Sequence, residues 1–159
     1  KECDWSSDVC SSDLIGSDHA GFNLKTQIIN YLKQKDCFVI DKGCFSEDRA
    51  DYPDYAHAVA VSVLSSESML GILICGSGNG INMTANKHKG VRSALCWNPE
   101  IAALARQHNN ANIIALPARF ISVKEAIDCV NVFLNSEFEG GRHQDRILKI
   151  EEKIGRAHV

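Results

Sequence analysis

At 159 residues, 45% of them hydrophobic and 23% charged, the chain has the apolar content for one packed domain, which excludes a disordered segment and a two-domain assembly alike. Its formal charge of −3 comes from interspersed acids and bases, so neither a nucleic-acid surface nor an anionic membrane surface is its expected partner. No apolar run approaches the roughly 18 residues of a bilayer span, and with no signal-type apolar segment the chain reads as cytoplasmic.

In chain order, Lys1 to Leu14 comes first, polar and without helical or strand periodicity. The C-terminal Ile154-Gly-Arg-Ala-His-Val159 can be encoded ATC GGA AGA GCA CAC GTC. The reverse complement of that string encodes Asp-Val-Cys-Ser-Ser-Asp, which is Asp8 to Asp13 of this chain. One oligonucleotide translated in both orientations accounts for both ends. Residues 1–14 are therefore expected to be a non-native leader, 154–159 a non-native tail, and 15–153 the functional domain. The five remaining cysteines, Cys37, Cys44, Cys75, Cys96 and Cys129, form no CxxC pair or Cys/His cluster, so reduced thiols are expected.

Ile15-Gly16 reads as the stump of a first strand, preceded by Ser11-Ser-Asp-Leu14, poor residues for a central strand. Phe22 to Gln34 has helical spacing, and Cys37 to Ile40 is a short apolar strand. A polar loop runs from Lys42 to Pro53, after which Asp54 is expected to cap a helix to about Ser66. Leu70 to Cys75 is a continuous apolar run, as in a strand covered on both faces. Gly76-Ser-Gly-Asn-Gly80 opens a helix to about Lys87, and Val91 to Cys96 is another strand. Asn98 and Pro99 start a helix to about Gln107, and Asn112 to Leu116 is a fifth strand. Ser122 with Glu125 forms a capping box for a helix to about Leu134, and a Glu139-Gly-Gly-Arg turn leads into the last helix. This alternation predicts an α/β fold, a three-layer α/β/α sandwich around a five-stranded parallel, Rossmann-like sheet. In such folds ligands bind beyond the carboxyl ends of the strands.

Cys75 stands at such an end. Three glycines in the next five residues let backbone N–H groups converge on an anion, and a cysteine there has its thiolate favoured as a base or nucleophile. The alternative is a small buried hydrophobe that merely ends a strand. A dinucleotide fingerprint would need G-x-G-x-x-G after the first strand, and the spacing here is G-x-G-x-G after the third. Asp18-His19 suits substrate hydroxyls or proton transfer, or else simply caps the next helix. His108-Asn109 ends the fourth helix, where a histidine also suits the helix dipole. Arg142 and Arg146 lie four apart on one helical face and fit a phosphate, although a solvated charged face has the same pattern. Arg119 is uninformative alone.

Gly16-Ser-Asp-His-Ala-Gly-Phe22, Asp51-Tyr-Pro53, Ile74-Cys-Gly-Ser-Gly-Asn-Gly-Ile81, Arg106-Gln-His-Asn109 and Gly140-Gly-Arg-His-Gln-Asp-Arg146 together resemble the type B ribose-5-phosphate isomerases. The broader family includes galactose-6-phosphate and allose-6-phosphate isomerases. The resemblance implies aldose–ketose isomerisation through an enediolate, with Cys75 moving the proton between C1 and C2 and His108 opening the furanose ring. It gives Gly76, Ser77, Gly78, Asn79 and Gly80 the enediolate oxygens, and Asp18 and Asn109 the hydroxyls, with Ser77 and Asp18 also counted among the catalytic groups. His19, Arg119, Arg142 and Arg146 take the phosphate, and Tyr52 lines the sugar site. It implies no metal and no cofactor, a sugar phosphate as the small-molecule partner, and a homodimer or homotetramer with active sites shared between subunits. A hexose 6-phosphate isomerase is the near alternative. A non-catalytic nucleotide-binding module, or a redox sensor using Cys75 with a resolving thiol, is the alternative of a different class.

Overall fold

The computed structural model describes residues 12–66 and 69–152. The expected tail and all but the last three residues of the expected leader lie outside them. Five parallel strands form one sheet in the order β2-β1-β3-β5-β4: β1 (Asp13–Ser17), β2 (Val39–Asp41), β3 (Gly71–Cys75), β4 (Ser93–Leu95) and β5 (Ile113–Pro117). Among the described residues, five helices alternate with them, α1 (Phe22–Gln34), α2 (Tyr52–Leu64), α3 (Asn79–Ala85), α4 (Pro99–Gln107) and α5 (Val123–Asn135), and α6 (Arg142–Ile150) follows α5. A 3-10 turn, His19–Gly21, joins β1 to α1.

The period-2 alternation of side chains sorts the core into two layers. Ile72 and Ile74 of β3 and Ile114 and Leu116 of β5 face α1, α4 and α5, packing with Leu24, Ile28, Ala102, Ala105, Val130 and Phe133. Leu73, Cys75, Ile113 and Ala115 face the other way, onto Ala56, Val59, Ala60 and Val63 of α2 and Ile81 and Ala85 of α3. All five residues of β3 and of β5 are buried, so the two apolar runs are the central strands. The expected three-layer sandwich is the observed architecture.

Local signals account for most boundaries. Asn98 accepts the Ile101 N–H at 3.0 Å ahead of Pro99. Ser122 accepts the Glu125 N–H at 3.1 Å and donates its hydroxyl to the Glu125 carboxylate at 3.0 Å. β4 is shorter than expected, Ser93–Leu95 rather than Val91 to Cys96, because the Val91 N–H is taken by the His88 carbonyl at 3.0 Å. Three further boundaries also differ from the sequence expectation. α2 starts at Tyr52, with Asp51 as its N-cap, so Asp54 lies in the first turn rather than capping it. Pro53 is tolerated there because first-turn N–H groups have no intrahelical acceptor to lose. β2 begins at Val39 rather than Cys37, because the Cys37 N–H closes the end of α1 on the Leu32 carbonyl at 2.9 Å. β1 starts at Asp13, upstream of the expected domain boundary at Ile15. Leu14 is fully buried there and pairs with Ile40 and Gly71. Cys44, Cys75, Cys96 and Cys129 are free thiols, but Cys37 is disulfide-bonded, against the expectation of five reduced cysteines.

Candidate active site

The strand order places β1 between β2 and β3, so the chain leaves β1 on one side and re-enters the sheet on the other. The carboxyl ends of β1 and β3 therefore flank a topological switch point. The Asp18 N–H donates to the Ile74 carbonyl at 3.2 Å across that point. Its carboxylate accepts the Gly21 N–H at 3.1 Å, which closes the 3-10 turn. The turn lies flat on β3: a Cβ at Gly21 would stand 2.7 Å from both the Ile74 carbonyl oxygen and its Cγ2, so glycine is required by close approach.

His19 follows, with Nδ1 3.1 Å from both the carbonyl and the N–H of Ala50. This contact ties it to the loop that leads into Tyr52. The loop is anchored from below by Lys25, fully buried, whose ammonium donates to both Asp41 carboxylate oxygens at 2.6 and 2.7 Å and to the Cys44 carbonyl at 2.7 Å.

Cys75 ends β3, buried at 4% exposure, with its side chain in the layer facing α2 and α3. After it, Gly76 is bracketed by Arg119: the Arg119 N–H donates to the Gly76 carbonyl at 3.0 Å, and a Cβ on Gly76 would lie 3.3 Å from an Arg119 guanidinium nitrogen. Exposed Ser77 accepts the Asn79 N–H at 3.2 Å. Gly78 adopts φ +77°, a left-handed conformation that favours glycine, and a Cβ there would collide with Leu95 Cδ1. Gly80 lies beneath the Tyr52 ring, whose Cε1 and Cζ would be 2.5 Å from an added Cβ. Asp18, His19, Tyr52, Cys75 to Gly80 and Arg119 thus gather at one edge of the sheet.

His108, Asn109, Arg142 and Arg146 do not join them. α4 returns antiparallel to the strands, so its end lies at their amino-terminal edge. There Arg92, just before β4, donates to the carbonyls of Asn109 and Asn110 at 3.1 and 2.9 Å. β5 then begins at Ile113, which pairs with Gly71, the first residue of β3. Four strand steps, about 13 Å, separate that edge from Cys75. At this second edge the Glu139 N–H donates to the Gln107 carbonyl at 3.0 Å, and the His108 and His143 rings stack with centroids 4.2 Å apart and planes 11° from parallel. The Glu139 carboxylate lies 3.6 Å from His108 Nε2 and 3.9 Å from His143 Nε2. Arg142 and Arg146 are exposed on α6, either side of nearly buried His143. Burial, and then the charges of His108, Arg142 and Arg146, hold His143 below the usual imidazole range, with Glu139 opposing them.

The donor atoms of His108, Glu139 and His143 lie within 4.8 Å of one another, close enough to be considered as ligands to a metal ion. Their geometry suits one poorly, because near-parallel rings direct their in-plane lone pairs side by side rather than at a common centre. The sequence reading overlooked Glu139, the Lys25–Asp41 anchor and any role for His143. The Gly140-Gly-Arg-His motif did draw attention to His143, but only its arginines had a recognisable chemistry.

No helix among the described residues is long and apolar enough to cross a membrane. The Ribose/Galactose Isomerase family matches residues 14–150. The chain is similar to ribose-5-phosphate isomerase B of Escherichia coli (strain K12), with 46% identity over 135 residues, 85% of this chain and 91% of that protein. It is also similar to the solved ribose 5-phosphate isomerase of Thermotoga maritima, at 50% identity and TM-score 0.87, covering 89% of this chain and 97% of that one. A third structure, ribose-5-phosphate isomerase B of Mycoplasma genitalium with bound ribulose 5-phosphate, is 49% identical with TM-score 0.84, covering 88% and 93%. The chain belongs to the Ribose/Galactose Isomerase family.

Proposed function

We propose that the protein interconverts ribose 5-phosphate and ribulose 5-phosphate, with Cys75 as the base. The observation that carries this reading is the position of Cys75 at the switch point, one residue before a glycine loop and beside Asp18. In the opened sugar, the Cys75 thiolate takes the proton from C2 of the aldose. The electron pair moves onto the carbonyl oxygen to give an enediolate, the C2 hydroxyl proton passes to that oxygen, and the thiol returns its proton at C1 to give the ketose. The amides of Gly76 to Gly80 lie where the enediolate oxygens develop charge, with Ser77 and Asn79 beside them. Asp18 orients hydroxyls, Tyr52 closes one wall, and His19 and Arg119 take phosphate oxygens.

His108 opens the ring, Asn109 holds a hydroxyl, and Arg142 and Arg146 complete the phosphate site. The distance of these four from Cys75 in one protomer supports a homodimer at least, in which each site takes Cys75 from one copy and His108 from the other.

The test is isomerisation of ribose 5-phosphate by the wild type and Cys75→Ala, with allose and galactose 6-phosphates alongside. Pentose turnover that falls at least about 100-fold in Cys75→Ala is expected. Turnover of a hexose phosphate alone would move the substrate, and none at all would sink the reading. Mixing refolded Cys75→Ala and His108→Asn chains is expected to recover about a quarter of wild-type activity, since one of the two sites in each mixed dimer is intact. No recovery would sink the shared site.

A further inference from the structure

We propose that His143 is a positioning residue for His108: its ring is the platform that sets the plane of the His108 imidazole. The inference rests on the reading of His108 as the group that opens the sugar ring. It assigns a task to a side chain that the phosphate site does not need.

Three observations carry it. The two rings are stacked, 4.2 Å between centroids and 11° from coplanar. His143 is the inner member, 11% exposed at its side chain against 40% for His108, so the packing of α6 fixes the inner ring and the outer ring rests on it. His108 is the C-cap of α4, past the last helical residue, where its own helix gives its side chain least support.

The charges around the pair fit this role. Arg142 and Arg146 on α6 and His108 on α4 oppose a positive His143, as does its burial, and Glu139 from the preceding loop is the one group favouring it. Two stacked imidazolium ions would repel, so an inner ring whose protonation is opposed suits the stack. At 3.6 Å from His108 Nε2, the Glu139 carboxylate is beyond normal hydrogen-bond range. It biases the edge of the ring by charge without a close hydrogen bond to Nε2.

A platform needs a flat ring and no nitrogen. His143→Phe should therefore keep the function and His143→Ala should lose it. The readout is turnover of ribose 5-phosphate and of its C2-deuterated form. With the platform gone, ring opening is expected to slow by about 10- to 100-fold, within the range that an ångström of misplacement or the loss of a general acid–base group produces. Ring opening then limits turnover, and the deuterium effect on kcat falls towards unity in His143→Ala while His143→Phe keeps it near the wild-type value. A packing defect alone would lower stability without erasing the isotope effect.

A second measurement is independent of activity. Stacking displaces the ring-proton resonances of His108 upfield, and this displacement should survive in His143→Phe and vanish in His143→Ala. If it survives in both, the platform is refuted whatever the substrate. If the resonances behave as expected but no sugar phosphate turns over, the isomerase reading fails and the stacking stands. Loss of turnover in His143→Phe with full turnover in His108→Phe would make His143 the acid–base group itself and overturn the proposal.

Discussion

Gly80→Ala separates the geometry of the site from the stability of the fold. Gly80 lies within α3 and its φ is not in the left-handed region, so alanine is the better helix former there by up to about 1 kcal/mol. The added Cβ would lie 2.5 Å from Tyr52 Cε1 and Cζ and 3.0 Å from Cε2. Ordinary carbon contacts are about 3.5–4.0 Å, so the ring must retreat by roughly 1 Å or more. Tyr52 is 39% exposed at the start of α2 and can swing outward with little loss of packing. Thermal stability should therefore stay within about 1 kcal/mol of wild type, whereas an ångström of displacement in the proposed wall of the sugar site can lower kcat/KM by up to about 100-fold. The assay is a four-variant cycle of wild type, Gly80→Ala, Tyr52→Ala and the double variant, with kcat/KM and Tm measured for each. In the Tyr52→Ala background, Gly80→Ala should change kcat/KM by less than about twofold, since no ring remains to be displaced. An equal loss in both backgrounds would refute the reasoning and put the effect in the loop backbone itself.

Asp41→Ala leaves the Lys25 ammonium buried with only the Cys44 carbonyl, and removing one member of a buried pair costs about 3–5 kcal/mol. The lower figure applies, because Asp41 is 31% exposed and is partly hydrated already. At about 2–4 °C per kcal/mol, Tm should drop by at least about 6 °C, and Lys25→Met added to Asp41→Ala should recover much of it. Burial pushes the Cys96 thiol up to about 12 and the Cys129 thiol to about 11, so neither should react with iodoacetamide at pH 8 in the native protein. Modification there by mass spectrometry would contradict the packing of that layer. His143 is held below the usual imidazole range, so the unfolded chain binds a proton near pH 6.5 before the native one does. Stability is then lost as pH falls below about 6.5, and His143→Phe should flatten that slope in a urea titration.

The layer architecture was legible because β3 and β5 are the two continuous apolar runs, and because Asn98-Pro99 and Ser122-x-x-Glu125 mark helix starts by local chemistry. Boundaries slipped where a longer-range demand decided them. Cys37 is apolar and reads as strand, but its N–H is taken by the Leu32 carbonyl at the end of α1. Asp54 reads as a cap, but Pro53 accepts a first-turn position and moves the start to Tyr52. The individual site positions came from motifs at the ends of strands and helices, and their grouping did not. Nothing in local sequence tells that Gly80 lies under Tyr52, that Lys25 and Asp41 anchor the loop next to His19, or that His143 lies against His108. Each of these contacts joins residues 16 or more apart in the chain, so it is decided by how the elements pack rather than by local chemistry.

The two edges are built differently, and the difference bears on how each half acts. At the carboxyl edge, close approaches fix the backbone: Gly21 on Ile74, Gly78 on Leu95 and Gly80 on Tyr52. Groups held this way are preorganised before any ligand arrives, which suits a base and amides that must stabilise a short-lived enediolate. At the amino edge Arg142 and Arg146 are exposed, so their position is set by charge and by whatever they bind. That suits a phosphate, which is present from the start and gains no charge during isomerisation. Substitutions at the first edge should therefore act mainly on kcat. Arg142→Lys or Arg146→Lys should act mainly on KM, more strongly at high ionic strength, where a single ammonium replaces a forked donor. Equal effects of the arginine variants on kcat and KM would show that the phosphate site helps to align the reacting carbons.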